Sequence, residues 1–205
     1  MTFVLGLTGS IGMGKSATAN LFRRLGVPVH DADAAVHALY RGRAAPLIEA
    51  AFPGTVKDGE VDRRKLADVV LNDADKLKLL ESIVHPMVRE EEENFLARIA
   101  ATSPIAVLDI PLLFETGGEA RCDAVLVVSA PADVQRARVM SRPGMTEETF
   151  SAILRKQVPD AEKRARAHFI VDTSRSFASA EAQVRSILAC LAGRPGRRRF
   201  FRESV

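Results

Sequence analysis

The chain has 205 residues, 47% hydrophobic and 27% charged, enough apolar mass for one compact domain and too ordinary a balance for wholesale disorder. No apolar run approaches the roughly 18 residues of a membrane helix, and Met1-Thr2-Phe3-Val4 lacks the basic start of a secretory signal, so a cytoplasmic location without membrane contact is expected. The net charge of +3 belongs to the chain's end: residues 193–205 carry five arginines against one glutamate, which leaves the first 192 residues near −1 and argues against a specific nucleic-acid surface.

In chain order, Phe3 to Thr8 is a short apolar run ending in glycine, as expected of a strand buried on both faces. Gly9-Ser10-Ile11-Gly12-Met13-Gly14-Lys15-Ser16 follows and fits G-x-x-x-x-G-K-[ST]. In that pattern glycines let successive N–H groups turn inward on phosphate oxygens, and the following helix adds its positive end. Lys15 reaches the β- and γ-phosphates, Ser16 can ligate Mg²⁺, and the segment from Gly9 to Ala17 is the expected ATP cradle. A helix from Lys15 to Leu25 stops at Gly26, and Val27-Pro28-Val29-His30 reads as a second strand.

Asp31-Ala32-Asp33 comes directly after that strand. Carboxyl ends of neighbouring parallel strands face one crevice, so these carboxylates are candidates for the acceptor side. Asp33 is the candidate base for an acceptor hydroxyl; helix N-capping is the competing role, weighed more heavily for Asp31 than for Asp33. Helical patterns with no strand signal then run to about Ala101. Asp62 opens one of them, Pro86 in His85-Pro86-Met87-Val88-Arg89 suggests a helix boundary, and Glu90 to Glu93 reads as a solvated helical start.

Ile105 to Ile110 and Ala124 to Val128 are further buried strands, and Phe169-Ile170-Val171 the last. Asp109 ends the first of these, where an acidic residue can hold Mg²⁺ through water. Leu113 and Phe114, just beyond it, are expected either to line the acceptor crevice or simply to fill the core. A helix from Ala132 to Met140 and its exit carry Arg138 and Arg142 at i, i+4, suited to a transferring phosphoryl group; Gly144 and a Thr146-capped helix follow. Cys122 and Cys190 have no metal-ligand spacing and read as idle thiols.

These signals predict an α/β fold: a parallel five-stranded sheet with helices on both faces, of the P-loop kinase type. The expected divisions are a core of 1–33, 102–130 and 166–192, a helical acceptor-binding insertion over 34–101, a lid over 131–165, and a disordered basic tail over 193–205. The guanine-reading Asn-Lys-x-Asp and the Asp-x-x-Gly of regulatory GTPases are absent, so a switch protein is not expected.

The combination resembles the dephospho-coenzyme A kinase family. The likeness rests on Leu7-Thr8-Gly9-Ser10-Ile11-Gly12 through Lys15-Ser16, Asp31-Ala32-Asp33, His85-Pro86 with Arg89, Asp109-Ile110-Pro111-Leu112-Leu113-Phe114-Glu115, Arg138 with Arg142, and Gln157. It implies transfer of the ATP γ-phosphoryl group to the ribose 3′-hydroxyl of dephospho-CoA with Mg²⁺. By position it makes Asp33 the base, gives Lys15 and Ser16 to phosphate and metal, Arg138 and Arg142 to the lid, and His85, Arg89, Leu113 and Phe114 to the acceptor. The chain departs from the family's usual residues at Ala167-His168 and Thr173-Ser174-Arg175, near the base. A nucleoside or nucleoside-monophosphate kinase is the alternative enzyme, and a nucleic-acid-binding ATPase using the arginine tail the alternative of another class. Oligomeric state is left open.

Overall fold

A computed structural model describes residues 1–197. In chain order it contains β1 (Phe3–Thr8), α1 (Lys15–Arg24), β2 (Val29–Asp31), α2 (Ala32–Tyr40), α3 (Ala45–Ala51), β3 (Val56–Lys57), β4 (Glu60–Val61), α4 (Arg63–Val70) and α5 (Ala74–Ile99). Then follow β5 (Ile105–Asp109), a 3-10 turn at Gly118–Arg121, β6 (Ala124–Ser129), α6 (Ala132–Met140), α7 (Glu147–Arg155), α8 (Asp160–Arg166), β7 (Phe169–Asp172) and α9 (Phe177–Leu191). The main sheet has the order β2-β5-β1-β6-β7 and is parallel, with β1 between β5 and β6.

That central position explains why β1 reads as an unbroken apolar run: all six of its residues are buried. Phe3, Leu5 and Leu7 meet Leu21 and Phe22 of α1 and Val184, Ile187 and Leu191 of α9 in one core. On the other face, Gly6 leaves room for Leu113 and Cys122. The chain divides into two compact units. One is Met1–His30 with everything from Leu96 onward, which includes the 131–165 segment read as a lid.

The other unit is Asp31–Phe95, where the sequence reading placed an insertion over 34–101. It has its own core of Leu39, Ile48, Phe52, Leu66, Val70, Leu80 and Val84. The expectation of no strand there is corrected by a small hairpin, β3–β4, turning on Asp58-Gly59. Both turn residues have positive φ, 53° and 81°, as a two-residue hairpin turn of the mirror-image type requires. Pro86 does not end a helix either, because α5 runs through it to Ile99. The Glu90–Glu93 run is therefore mid-helix: Arg43 pairs with Glu90 and Glu91, and Glu92 is buried.

The chain's end also differs from expectation. The sequence reading frees it from 193, yet the Gly196 N–H bonds the Met1 carbonyl at 3.3 Å and the Arg197 N–H bonds Asp123 Oδ1 at 2.8 Å. Gly196 lies so close to Thr2 that a Cβ would stand 2.0 Å from its carbonyl oxygen. The rest of the expected tail, 198–205, lies outside the described residues.

Asp123 is the fastener of this corner: its buried carboxylate also takes the Val4 N–H at 2.8 Å. Asp123→Ala strands that buried N–H, a loss of about 1–3 kcal/mol. The expected result is a melting temperature lower by roughly 3–10 °C. An unchanged melting curve removes Asp123 from this role.

Candidate functional site

The loop between β1 and α1 is built to receive an anion. Gly14 sits at the N-cap of α1 with φ 91°, and no side chain caps the helix there. The first-turn N–H groups of α1 therefore have no side-chain acceptor, and the positive end of the helix dipole adds to them. Gly9, Gly12 and Met13 are buried in the loop, Ile11, Gly14 and Lys15 are half-buried, and Ser16 and Ala17 are exposed. The buried Met13 anchors the loop to the core, its Sδ accepting the Ala130 N–H at 3.1 Å.

Lys15 Nζ forms an ion pair with Asp109 Oδ1 at 2.7 Å, the lysine side chain 16% and the aspartate 3% exposed. The pair joins the start of α1 to the carboxyl end of β5. With so little water, each charge depends on the other. Asp109 and the Ser16 hydroxyl are hard oxygen donors of the kind Mg²⁺ takes. Among the described residues there is no cluster of three or more His, Cys, Asp or Glu that could hold a metal ion.

Arg138 of α6 reaches across the loop. It donates to Thr173 Oγ1 at 3.0 Å, to the Thr173 carbonyl at 2.6 Å and to the Gly12 carbonyl at 3.5 Å. The Thr173 hydroxyl in turn donates to the Met13 carbonyl at 2.8 Å. Arg138, Arg142, Thr173 and Phe177 line a cleft of about 370 Å³ that begins at Gly12 and Gly14. Sequence reasoning identified the arginines but missed Phe177, whose only signal was its place after the last strand. Arg136, the other arginine of α6, is exposed and pairs with Glu147.

The segment after β5 is corrected by the structure. Leu113 is fully buried and Phe114 nearly so, Leu113 packing on Gly6 and Gly118 and the Phe114 ring lying 4.3 Å from the Arg166 guanidinium. Both therefore serve as core, and Leu112 is the exposed member. Glu115 ends the segment in an ion pair with the wholly buried Lys163, 2.9 Å from its Oε1, and accepts the Val158 N–H at 2.8 Å.

In the Asp31–Phe95 unit, Asp31 is the N-cap of α2 and accepts the Ala34 N–H at 3.0 Å. Asp33 lies in the first helical turn, exposed, with no hydrogen bond or ion pair to any described residue. His85 and Arg89 share an exposed face of α5 one turn apart.

Residues 3–179 match the family model described as dephospho-CoA kinase. A dephospho-CoA kinase of Mesorhizobium japonicum is 63% identical over 194 residues, covering 94% of this chain and 98% of its own. A crystal structure from Thermus thermophilus superposes with a TM-score of 0.84 at 40% identity, covering 94% of this chain and 99% of that one. The dephospho-CoA kinase of Campylobacter jejuni superposes with a TM-score of 0.64 at 25% identity, over 93% and 97%.

The Glu115–Lys163 pair makes a pH signature. Burial pushes the Glu115 carboxyl up, but the Lys163 ammonium and the Val158 N–H outweigh it and hold the carboxyl below its ordinary 4.5. A depressed carboxylate contributes stability above its unfolded pKa, and that stability is lost as pH falls through the folded one. Glu115→Gln leaves Lys163 buried without its countercharge and destabilises by about 3–5 kcal/mol at neutral pH. The gap in melting temperature between wild type and variant should close as pH drops below 4.5. A gap that stays constant across that range excludes the ion pair as its source.

Proposed function

The chain belongs to the dephospho-CoA kinase family, and from that premise we propose how its residues move the ATP γ-phosphoryl group to the ribose 3′-hydroxyl of dephospho-CoA, giving CoA and ADP in the final step of coenzyme A synthesis. The observation that carries the reading is the uncapped N-terminus of α1 beside the Lys15–Asp109 pair, a cradle for a triphosphate.

The amides from Gly12 to Ala17 receive the phosphates, and Lys15 turns to the β- and γ-oxygens as ATP arrives. Asp109 and Ser16 are the residues that would hold Mg²⁺, whose chemistry is to neutralise charge on the phosphate oxygens. Asp33 accepts the proton of the 3′-hydroxyl as its oxygen bonds to phosphorus and the bridging bond to ADP breaks. Its lack of any partner among the described residues, beside the fully engaged Asp31, supports that role.

Arg138 and Arg142 stabilise the charge spread over the equatorial oxygens, the segment 131–165 serving as lid. Their place on the cleft wall beginning at Gly12 supports this, and the same cleft suits the adenine base, with Phe177 at its side. His85 and Arg89 bind the acceptor, a pairing favoured by their shared exposed face and the anionic groups of dephospho-CoA. Among the described residues no helix is long and apolar enough to cross a membrane, and we place the enzyme in the cytoplasm, where its small-molecule substrates are made.

Asp33→Asn is expected to lower kcat by about 10²–10⁴ while ATP still binds. Coupled ADP release with dephospho-CoA, AMP, CMP and adenosine as acceptors reads both the chemistry and the acceptor. Full activity of the variant removes Asp33 as base; preference for AMP or CMP replaces the acceptor.

A further inference from the structure

Both backbone polar groups of Ile11, which belong to the two successive peptide planes flanking its Cα, are held by glutamine side chains. Its N–H donates to Gln157 Oε1 at 3.1 Å, and its carbonyl accepts from Gln135 Nε2 at 2.7 Å. A primary amide has one acceptor end and one donor end, so each glutamine has a fixed orientation here and the two are not interchangeable. Gln135 lies in α6 and is itself buried, 6% exposed. The helix carrying it packs directly on the loop: a Cβ at Gly12 would meet the Gln135 carbonyl oxygen at 3.0 Å.

Gln157 comes from the turn between α7 and α8, and that turn is pinned in its own right. The next residue, Val158, donates its N–H to Glu115, which is ion-paired to the wholly buried Lys163. Because the turn is already fixed, only the rotamer freedom of the Gln157 side chain is given up when it makes its bond. The loop is thus tied to α6 on one side and, through Gln157, to the segment following β5 on the other.

We propose that Gln135 and Gln157 are positioning residues of the phosphate loop. Together they fix the two peptide planes on either side of the Ile11 Cα, and so the course of the backbone into the Gly12–Lys15 segment, before ATP arrives. With its N–H spent on Gln157, Ile11 marks the edge of the cradle. The ordering cost is then met in folding rather than in binding, which raises ATP affinity. This rests on the reading of the loop as the ATP site, and not on the identity of the acceptor.

The test is direct ATP binding by titration calorimetry, without acceptor, alongside KM for each substrate and the melting temperature. Gln157→Ala and Gln135→Met, the latter keeping the buried volume without the donor, should each weaken ATP about 3- to 10-fold, the range of one neutral hydrogen bond. KM for dephospho-CoA should stay within about twofold, and the melting temperature within about 2 °C. Two charged variants then read the direction of the bonds. Gln157→Glu keeps an oxygen for the Ile11 N–H, whereas Gln135→Glu sets an oxygen against the Ile11 carbonyl. Both bring the same charge to the backbone of the same residue, so Gln157→Glu should bind ATP more tightly than Gln135→Glu. The proposal is overturned by wild-type ATP affinity in Gln157→Ala and Gln135→Met, by equal affinity in the two glutamate variants, or by KM for both substrates rising together with a falling melting temperature. A wild-type enzyme that binds ATP but ignores dephospho-CoA overturns the functional reading and leaves this comparison intact.

Discussion

The ion pair between Lys15 and Asp109 is the constraint around which the site is arranged, because neither charge has enough water to stand alone. The chain solves this without ligand by pairing them, which also ties the loop after β1 to the end of β5. Where a nucleotide drew Lys15 toward its phosphates, the Asp109 carboxylate would keep its negative charge in a buried place, and a divalent cation held by Asp109 and Ser16 would supply the compensating positive charge.

Around that pair the loop is held by side chains that bind its backbone, while the Met13 N–H bonds the Ser10 carbonyl within the loop and the helix start at Gly14 carries no side-chain cap. Thr173 and Arg138 take the Met13 and Gly12 carbonyls, while Gln135 and Gln157 take both polar groups of Ile11. Carbonyl oxygens are the groups a phosphate would repel. Satisfying them from outside leaves the inward side of the loop rich in donors. Thr173 manages this because its hydroxyl accepts from Arg138 and donates to Met13 at once.

What could be read from the sequence was what neighbouring residues decide. The phosphate loop is contiguous, its glycines and lysine fixed by local backbone needs, and the central strands announce themselves because burial on both faces leaves no polar position in β1, β5 or β6 before the last residue of each. The Asp58-Gly59 turn was equally local and was passed over because its strands are only two residues long. Pro86 misled for another reason. Its cost of about 3 kcal/mol inside a helix is real, but Leu80 and Val84 before it and Met87 and Val88 after it all pack on one core, and that burial outweighs the lost bond. Leu113 and Phe114 were ambiguous in principle, since an apolar side chain carries the same signal whether it faces a ligand or Gly6. The clamp on Ile11 joins residues 11, 135 and 157, and no local pattern reports that distance in sequence.

The acidic pair after β2 shows how secondary structure can assign roles that composition leaves open. Asp31 and Asp33 are the same residue type, two positions apart, and either could have capped the helix. Asp31 is extended, with φ −103° and ψ 107°, so it becomes the N-cap, and its Oδ1 accepts the Ala34 N–H. Only one residue of a helix can hold that position. Asp33 is thereby placed inside the first turn, where its own backbone is helical and its side chain has no cap to make. A carboxylate with no bond to keep can meet an incoming hydroxyl without first giving something up. The cap on α2 thus distinguishes the two aspartates, and the proposed role of Asp33 as base rests on that difference.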